Sequence, residues 1–154
     1  MRYLDYLKRF TYTPNEFYDY LIGVERAMAG EIALIVSPAT LGSSAADVNA
    51  AITTDGKFVR RVKVELKASA DGDVHQWFTG SFSAAVVANT GTGDGTAAIA
   101  DGGDSVELEN GVGYVDIEYT GTWAEGNTCT LTITGGTIMG YSVSNKTSVD
   151  TLVA

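Results

Sequence analysis

An all-β chain, folded as an antiparallel sandwich behind an N-terminal helical arm, is the architecture this sequence predicts, and three observations predict it. From residue 31 onward, short runs of alternating apolar and polar residues recur between clusters of Gly, Asp, Asn and Ser, the signature of half-buried strands joined by turns. The strongest run, Gly111 to Gly136, carries two such alternations in succession. Residues 1–30 look different: seven of the chain's 5 Phe, 2 Trp and 8 Tyr residues fall in the first twenty positions, together with a helix-start signal.

In the Gly111 to Gly136 run, Val115, Ile117, Tyr119 and Trp123 share one parity while Tyr114, Asp116, Glu118 and Thr120 take the other. On the return, Cys129, Leu131 and Ile133 oppose Thr128, Thr130, Thr132 and Thr134. Each arm therefore has one dry and one wet face. With Ala124-Glu125-Gly126-Asn127 as the reversal, the run is expected to form one long antiparallel hairpin, with Val115, Ile117, Tyr119, Leu131 and Ile133 in the central core. Two strands alone are marginal in water, so a second layer must cover the dry face.

Taken in order, the chain opens with the arm. Tyr3, Leu4 and Leu7 cluster in a short helix over residues 2–9. Thr13-Pro14-Asn15-Glu16 starts a longer one, with Thr13 as N-cap, Pro14 at the first helical position and Glu16 closing a capping box. Phe17, Leu21, Val24 and Met28 form its apolar stripe, and Gly30 ends it. Such an arm either packs on its own domain or binds another protein through its aromatics. Tyr3, Tyr6, Phe10, Tyr12, Phe17, Tyr18 and Leu21 are the candidate partner-binding residues. The domains are thus residues 1–30, an anchoring arm, and residues 31–154, the sandwich.

Glu31 to Ser37 is a continuous apolar run, expected to be a strand buried on both faces or covered by the arm. Ser44 caps a brief helical turn over Ala45 to Ala51, and Asp55-Gly56 turns the chain. In the strand Lys57 to Ser69, Phe58, Val62, Val64 and Leu66 face the core, with Arg61, Lys63, Glu65 and Lys67 outward. His75 to Val87 supplies a bent strand or a strand pair, Thr96 to Ala100 a short strand, and Ser105 to Glu109 another with Val106 and Leu108 inward. Thr137 to Ser144 and Val149 to Val153 are expected at sheet edges, giving eight or nine strands.

The net charge is −9, from 10 basic and 19 acidic side chains, which disfavours nucleic acid and anionic membrane surfaces as partners. Between Lys67 and Lys146 there is no Lys or Arg. Met1 to Tyr6 lacks an apolar core of signal-peptide length and no run reaches membrane-span length, so the expectation is a chain made and used in a cytosol, or assembled there into something larger. The single cysteine, Cys129, falls on a dry parity, as a small buried hydrophobe would.

Catalytic chemistry is poorly supplied. His75 is the only histidine, and no nucleophile elbow or Cys-His arrangement accompanies it. Glu107/Glu109 and Asp116/Glu118 are carboxylate pairs of a kind a glycosidase could use, and also what the wet face of any sheet shows. Asp71/Asp73 and Asp94 with Asp101/Asp104 depart from the twelve-residue calcium-loop pattern. Sugar stacking would fall to Trp77, Tyr114 or Trp123. No catalytic residue, metal site or cofactor is expected.

Two stretches, Asp55 to Val64 (DGKFVRRVKV) and Gly113 to Thr134 (GYVDIEYTGTWAEGNTCTLTIT), resemble the Ig-like domains of structural proteins from tailed bacteriophages, with Gly121 to Gly126 as a turn between late strands. The resemblance spans about Glu31 to Ser144. It implies an Ig-like antiparallel sandwich in a virion structural protein, of capsid-decoration or head-fibre type, without catalysis and often trimeric. The partner implied is a viral capsid or another virion protein, with further copies of the same chain. The rival readings are a carbohydrate-binding module and a small glycoside hydrolase. A free Trp77 or Trp123 ring beside a groove would favour sugar binding, a cleft of paired carboxylates hydrolysis, and buried tryptophans assembly.

Overall fold

The computed structural model describes residues 21, 32–91 and 93–154. Among residues 32–154 as described, eleven strands, one α-helix and a 3-10 turn at Ala100–Gly102 occur: β1 Ala33–Ser37, β2 Thr40–Leu41, α1 Ala45–Asp55, β3 Phe58–Lys67, β4 Gly80–Asn89, β5 Thr96–Ile99, β6 Ser105–Leu108, β7 Val112–Thr120, β8 Thr128–Ile133, β9 Gly136–Ile138, β10 Tyr141–Val143 and β11 Lys146–Thr151. The first layer is β1-β3-β7-β5 and the second is β2-β11-β8-β4-β6, with β9 and β10 as a separate ribbon. This is the strand order of an immunoglobulin-type sandwich: β1, β3, β7 and β5 take the A-B-E-D places, and β11, β8 and β4 the G-F-C places. The fold is all-β, as expected. The two predicted helices of the arm, the short one and the longer one, lie outside the described residues, except that Leu21 is helical and half-buried.

The core forms where the inward parities of the two layers meet. Leu34, Val62, Val64, Leu66, Ile117 and Tyr119 come from the first layer, and Phe82, Val106, Leu108, Cys129, Leu131 and Ile133 from the second. Burying a side chain of this size stabilises the fold by about 1.5–3 kcal/mol relative to leaving it exposed.

The expected long hairpin is not one. β7 pairs with β3 and β5 while β8 pairs with β11 and β4, so the two arms sit in opposite layers and present their dry faces to each other. Alternation gives each arm a dry face but is silent on whether the arms lie side by side or front to front. The seven residues Gly121–Asn127 are long enough to cross the roughly 10 Å between packed sheets. At the corner Gly121 takes φ +77, and a Cβ there would come within 2.5 Å of the Asp94 carbonyl oxygen. Trp123 fills the corner, stacked on Tyr119 at 4.9 Å between ring centroids. Asn49 of α1 holds it from both sides, accepting from Trp123 N at 2.9 Å and donating to Trp123 O at 2.8 Å.

Other boundaries shift for local reasons. α1 runs a turn further than the small-residue pattern implies, up to Gly56, which takes φ 79 and donates its N–H to the Ile52 carbonyl; Ser44 is its N-cap, as expected. β1 is buried on one face only, with Ala33 and Ile35 half-buried. His75 to Thr79 is loop, and only β4 is strand. Asn110-Gly111, both at positive φ, makes the tight turn after β6, but β7 then leaves for the other layer. At the parting, Gly113 passes so close to β6 that a Cβ would lie 2.2 Å from the Glu107 carbonyl oxygen. The C-terminal strand is no edge: β11 lies between β2 and β8.

Candidate functional site

The residues singled out for chemistry are scattered. His75 is buried beside Trp77, Phe78 and Phe82 in a chain of rings with centroids 5.5–6.0 Å apart. Glu107 lies on β6, in the opposite layer from Asp116 and Glu118 on β7, with Glu109 just beyond the strand. Asp116 accepts two hydrogen bonds from Arg61, each 2.7 Å, and Glu118 pairs with Lys57. Asp94 is engaged as an acceptor for Thr122 N at 2.7 Å. Among the described residues no three potential metal ligands converge. Trp123 is only 2% exposed and Trp77 is half-buried, leaving Tyr114 as the open ring, with the Arg61 guanidinium 5.7 Å from its centroid. An open cleft of about 330 Å³ is lined by Phe78, Phe82, Ser81, Ser83 and residues 134–138, none of them titratable. Of the candidate partner-binding set, Tyr3, Tyr6, Phe10, Tyr12, Phe17 and Tyr18 lie outside the described residues.

A buried polar cluster was missed in the sequence. Arg60 points inward between Phe58 and Val62 and donates through Nη1 to Ser148 Oγ at 2.9 Å; its Nε and Nη2 are buried with no hydrogen-bond partner among the described residues. Asp150, fully buried on β11, accepts from Ser43 N at 2.9 Å, Ser43 Oγ at 2.7 Å and Tyr119 Oη at 3.1 Å. Burial first, then the hydrogen bond to Cys129, pushes the Tyr119 phenol far above its ordinary range, and burial raises the Cys129 thiol too. These groups tie β11, β7, β3 and the 38–43 segment together. For Arg60 the signal was available, since it shares the inward parity of Phe58, Val62 and Val64; for Asp150 it was not, since Val149 and Val153 mark the opposite parity of the last strand as the apolar one.

Surface chemistry divides by layer. On the first layer β3 and β7 face outward with opposite charges, Arg61 opposite Asp116 and Lys57 beside Glu118, while Lys63 meets Glu65 at 2.7 Å. The hydrogen bond from Arg61 holds the Asp116 carboxyl below the usual carboxylate range.

The second layer is different. Its register sets three outward rows: Ala85-Thr132-Thr147, Val87-Thr130-Val149-Thr40 and Asn89-Thr128-Thr151. From β4 to β2 no charged side chain stands on this face among the described residues; the first is Glu107 on β6, beside Ser81. Val87 is 64% exposed in the middle row. A face with no charge to desolvate is suited to contact with another surface.

No protein-family model matches the chain, and no curated protein matches it in sequence. Among solved structures it is similar to domains 4 and 5 of the S-layer protein SbsC, at 18% identity and a TM-score of 0.36 over 79% of this chain and 44% of that one. It is also similar to a conjugative transposon lipoprotein from Bacteroides eggerthii DSM 20697, at 13% identity and a TM-score of 0.35 over 78% of this chain and 96% of that one.

Proposed function

We propose that this chain is a non-catalytic structural protein of a virus particle, a capsid-decoration or head-fibre component anchored through residues 1–30. The observation that carries this reading is where the rival chemistries' residues lie: Trp123 is packed inside the corner against Tyr119, and Asp116 and Glu118 are held in cross-strand ion pairs. Sugar stacking and paired-carboxylate hydrolysis both need those groups open to a ligand. The resemblance to phage Ig-like domains falls on β3, β7 and β8, inner strands of the two layers. The net charge of −9 favours a protein partner over nucleic acid.

The test is co-purification with particles, comparing the full chain with Phe17→Ala and Leu21→Ala variants. The protein is expected in the particle fraction, and each substitution is expected to weaken attachment by more than about 1 kcal/mol. Recovery of the full chain only in the particle-free fraction contradicts the assignment; attachment indifferent to both substitutions removes the arm as its anchor.

A further inference from the structure

We propose that the uncharged outer face of the five-stranded sheet is the contact through which two copies of this chain associate. The inference goes beyond the particle reading and stands without it.

Charge supplies the first reason. A second copy also carries −9, so most mutual approaches are repulsive. The outward rows from β4 to β2 hold only Thr, Val, Ala and Asn, and through them two copies meet without placing like charges together. The first layer instead presents Lys57, Arg61, Asp116 and Glu118, whose burial would mean desolvating ion pairs.

Arrangement within the face supplies the second. The middle row carries the valines, Val87 at 64% exposure and Val149 half-buried, and the rows on either side carry mostly hydroxyl and amide groups. An apolar centre inside an uncharged polar rim is the anatomy of an interface. The pattern also fits itself. A two-fold axis through Thr130, parallel to β8, sets Val87 of one copy against Val149 of the other and Thr130 against Thr130, the reciprocal contact of an isologous pair. Face-to-face packing of sheets is the geometry this needs. The competing route, strand addition at the sheet edges, is blunted here because β2 has two residues and β6 has four, with Glu107 outward.

The experiment is sedimentation equilibrium of the full chain over a wide concentration range, with Val87→Asp and, as control on the other face, Val59→Asp. The wild type is expected to form a concentration-dependent dimer. Val87→Asp, which desolvates a carboxylate against Val149, is expected to raise the dimer dissociation constant at least about tenfold, with circular dichroism unchanged, while Val59→Asp leaves it alone. A wild type that stays monomeric throughout, or an oligomer untouched by Val87→Asp, overturns the proposal. Particle attachment is scored separately on the same variants, so failure of this contact is not confused with failure of the particle reading.

Discussion

The two outer faces of the sandwich come from the same period-2 alternation and end up chemically opposed. On β3 and β7 the outward positions hold Arg61, Lys63, Glu65, Asp116 and Glu118; on β8 and β11 they hold Thr128, Thr130, Thr132, Thr147, Val149 and Thr151. Inward, the layers are alike, closing on Leu66, Ile117, Leu131 and Ile133. Inward positions are therefore constrained by packing, whereas outward positions are free to differ with what each face meets: a charged, cross-paired face suits water, and an uncharged one suits another surface.

If the interior is truly shared, its polar link should matter most. Asp150→Ala removes the acceptor of three hydrogen bonds and leaves the Ser43 and Tyr119 donors without it in the interior. A loss of about 3–5 kcal/mol is expected in urea unfolding, from about 1–3 kcal/mol for each buried group left unpaired. A loss below about 1 kcal/mol would mean that water reaches the cluster and that β11 is held by its ladder alone.

Next in size are Ile117→Ala and Leu131→Ala, one in each layer and both fully buried. Each is expected to cost about 2–5 kcal/mol, the spread reflecting how far each cavity collapses. A large cost on one side with a negligible cost on the other would show that the layers do not close on a common core.

Those two positions also show how far the sequence could be followed. Val115, Ile117, Tyr119, Cys129, Leu131 and Ile133 were all legible as inward, because alternation reports one bit per residue. That β7 and β8 belong to different layers was not legible, since a front-to-front pair and a side-by-side pair give the same alternation. Arg60 and Asp150 were passed over for other reasons: Arg60 has inward parity but a surface composition, Asp150 lies opposite the valine parity of its strand, and only partners distant in sequence, Ser148 88 residues from Arg60 and Ser43 107 from Asp150, make their burial tolerable. The uncharged face was half visible in the threonine parity of β8. Its other rows come from β4 and β11, whose neighbours no local pattern names.

The smallest effect belongs to the charged face. Arg61 holds the Asp116 carboxyl below its ordinary range, so Asp116 contributes stability that is present above the unfolded value of about 4 and is lost as pH falls through the lowered folded value. The stability gap between wild type and Asp116→Asn should be small at neutral pH, shrink with salt, and close on acidification through that window. A gap independent of pH would mean that the Arg61 pair holds no charge in place.

The contrast between the faces is tested most directly by thiol labelling of Val87→Cys and Val59→Cys chains under reducing conditions, since Cys129 is fully buried and silent. In a single copy Val87 is 64% exposed and Val59 46% exposed, so dilute protein should label faster at position 87. The account predicts that concentrating the protein slows labelling at 87 and leaves 59 unchanged, reversing their order. Rates at both positions that hold steady across the whole concentration range would contradict it.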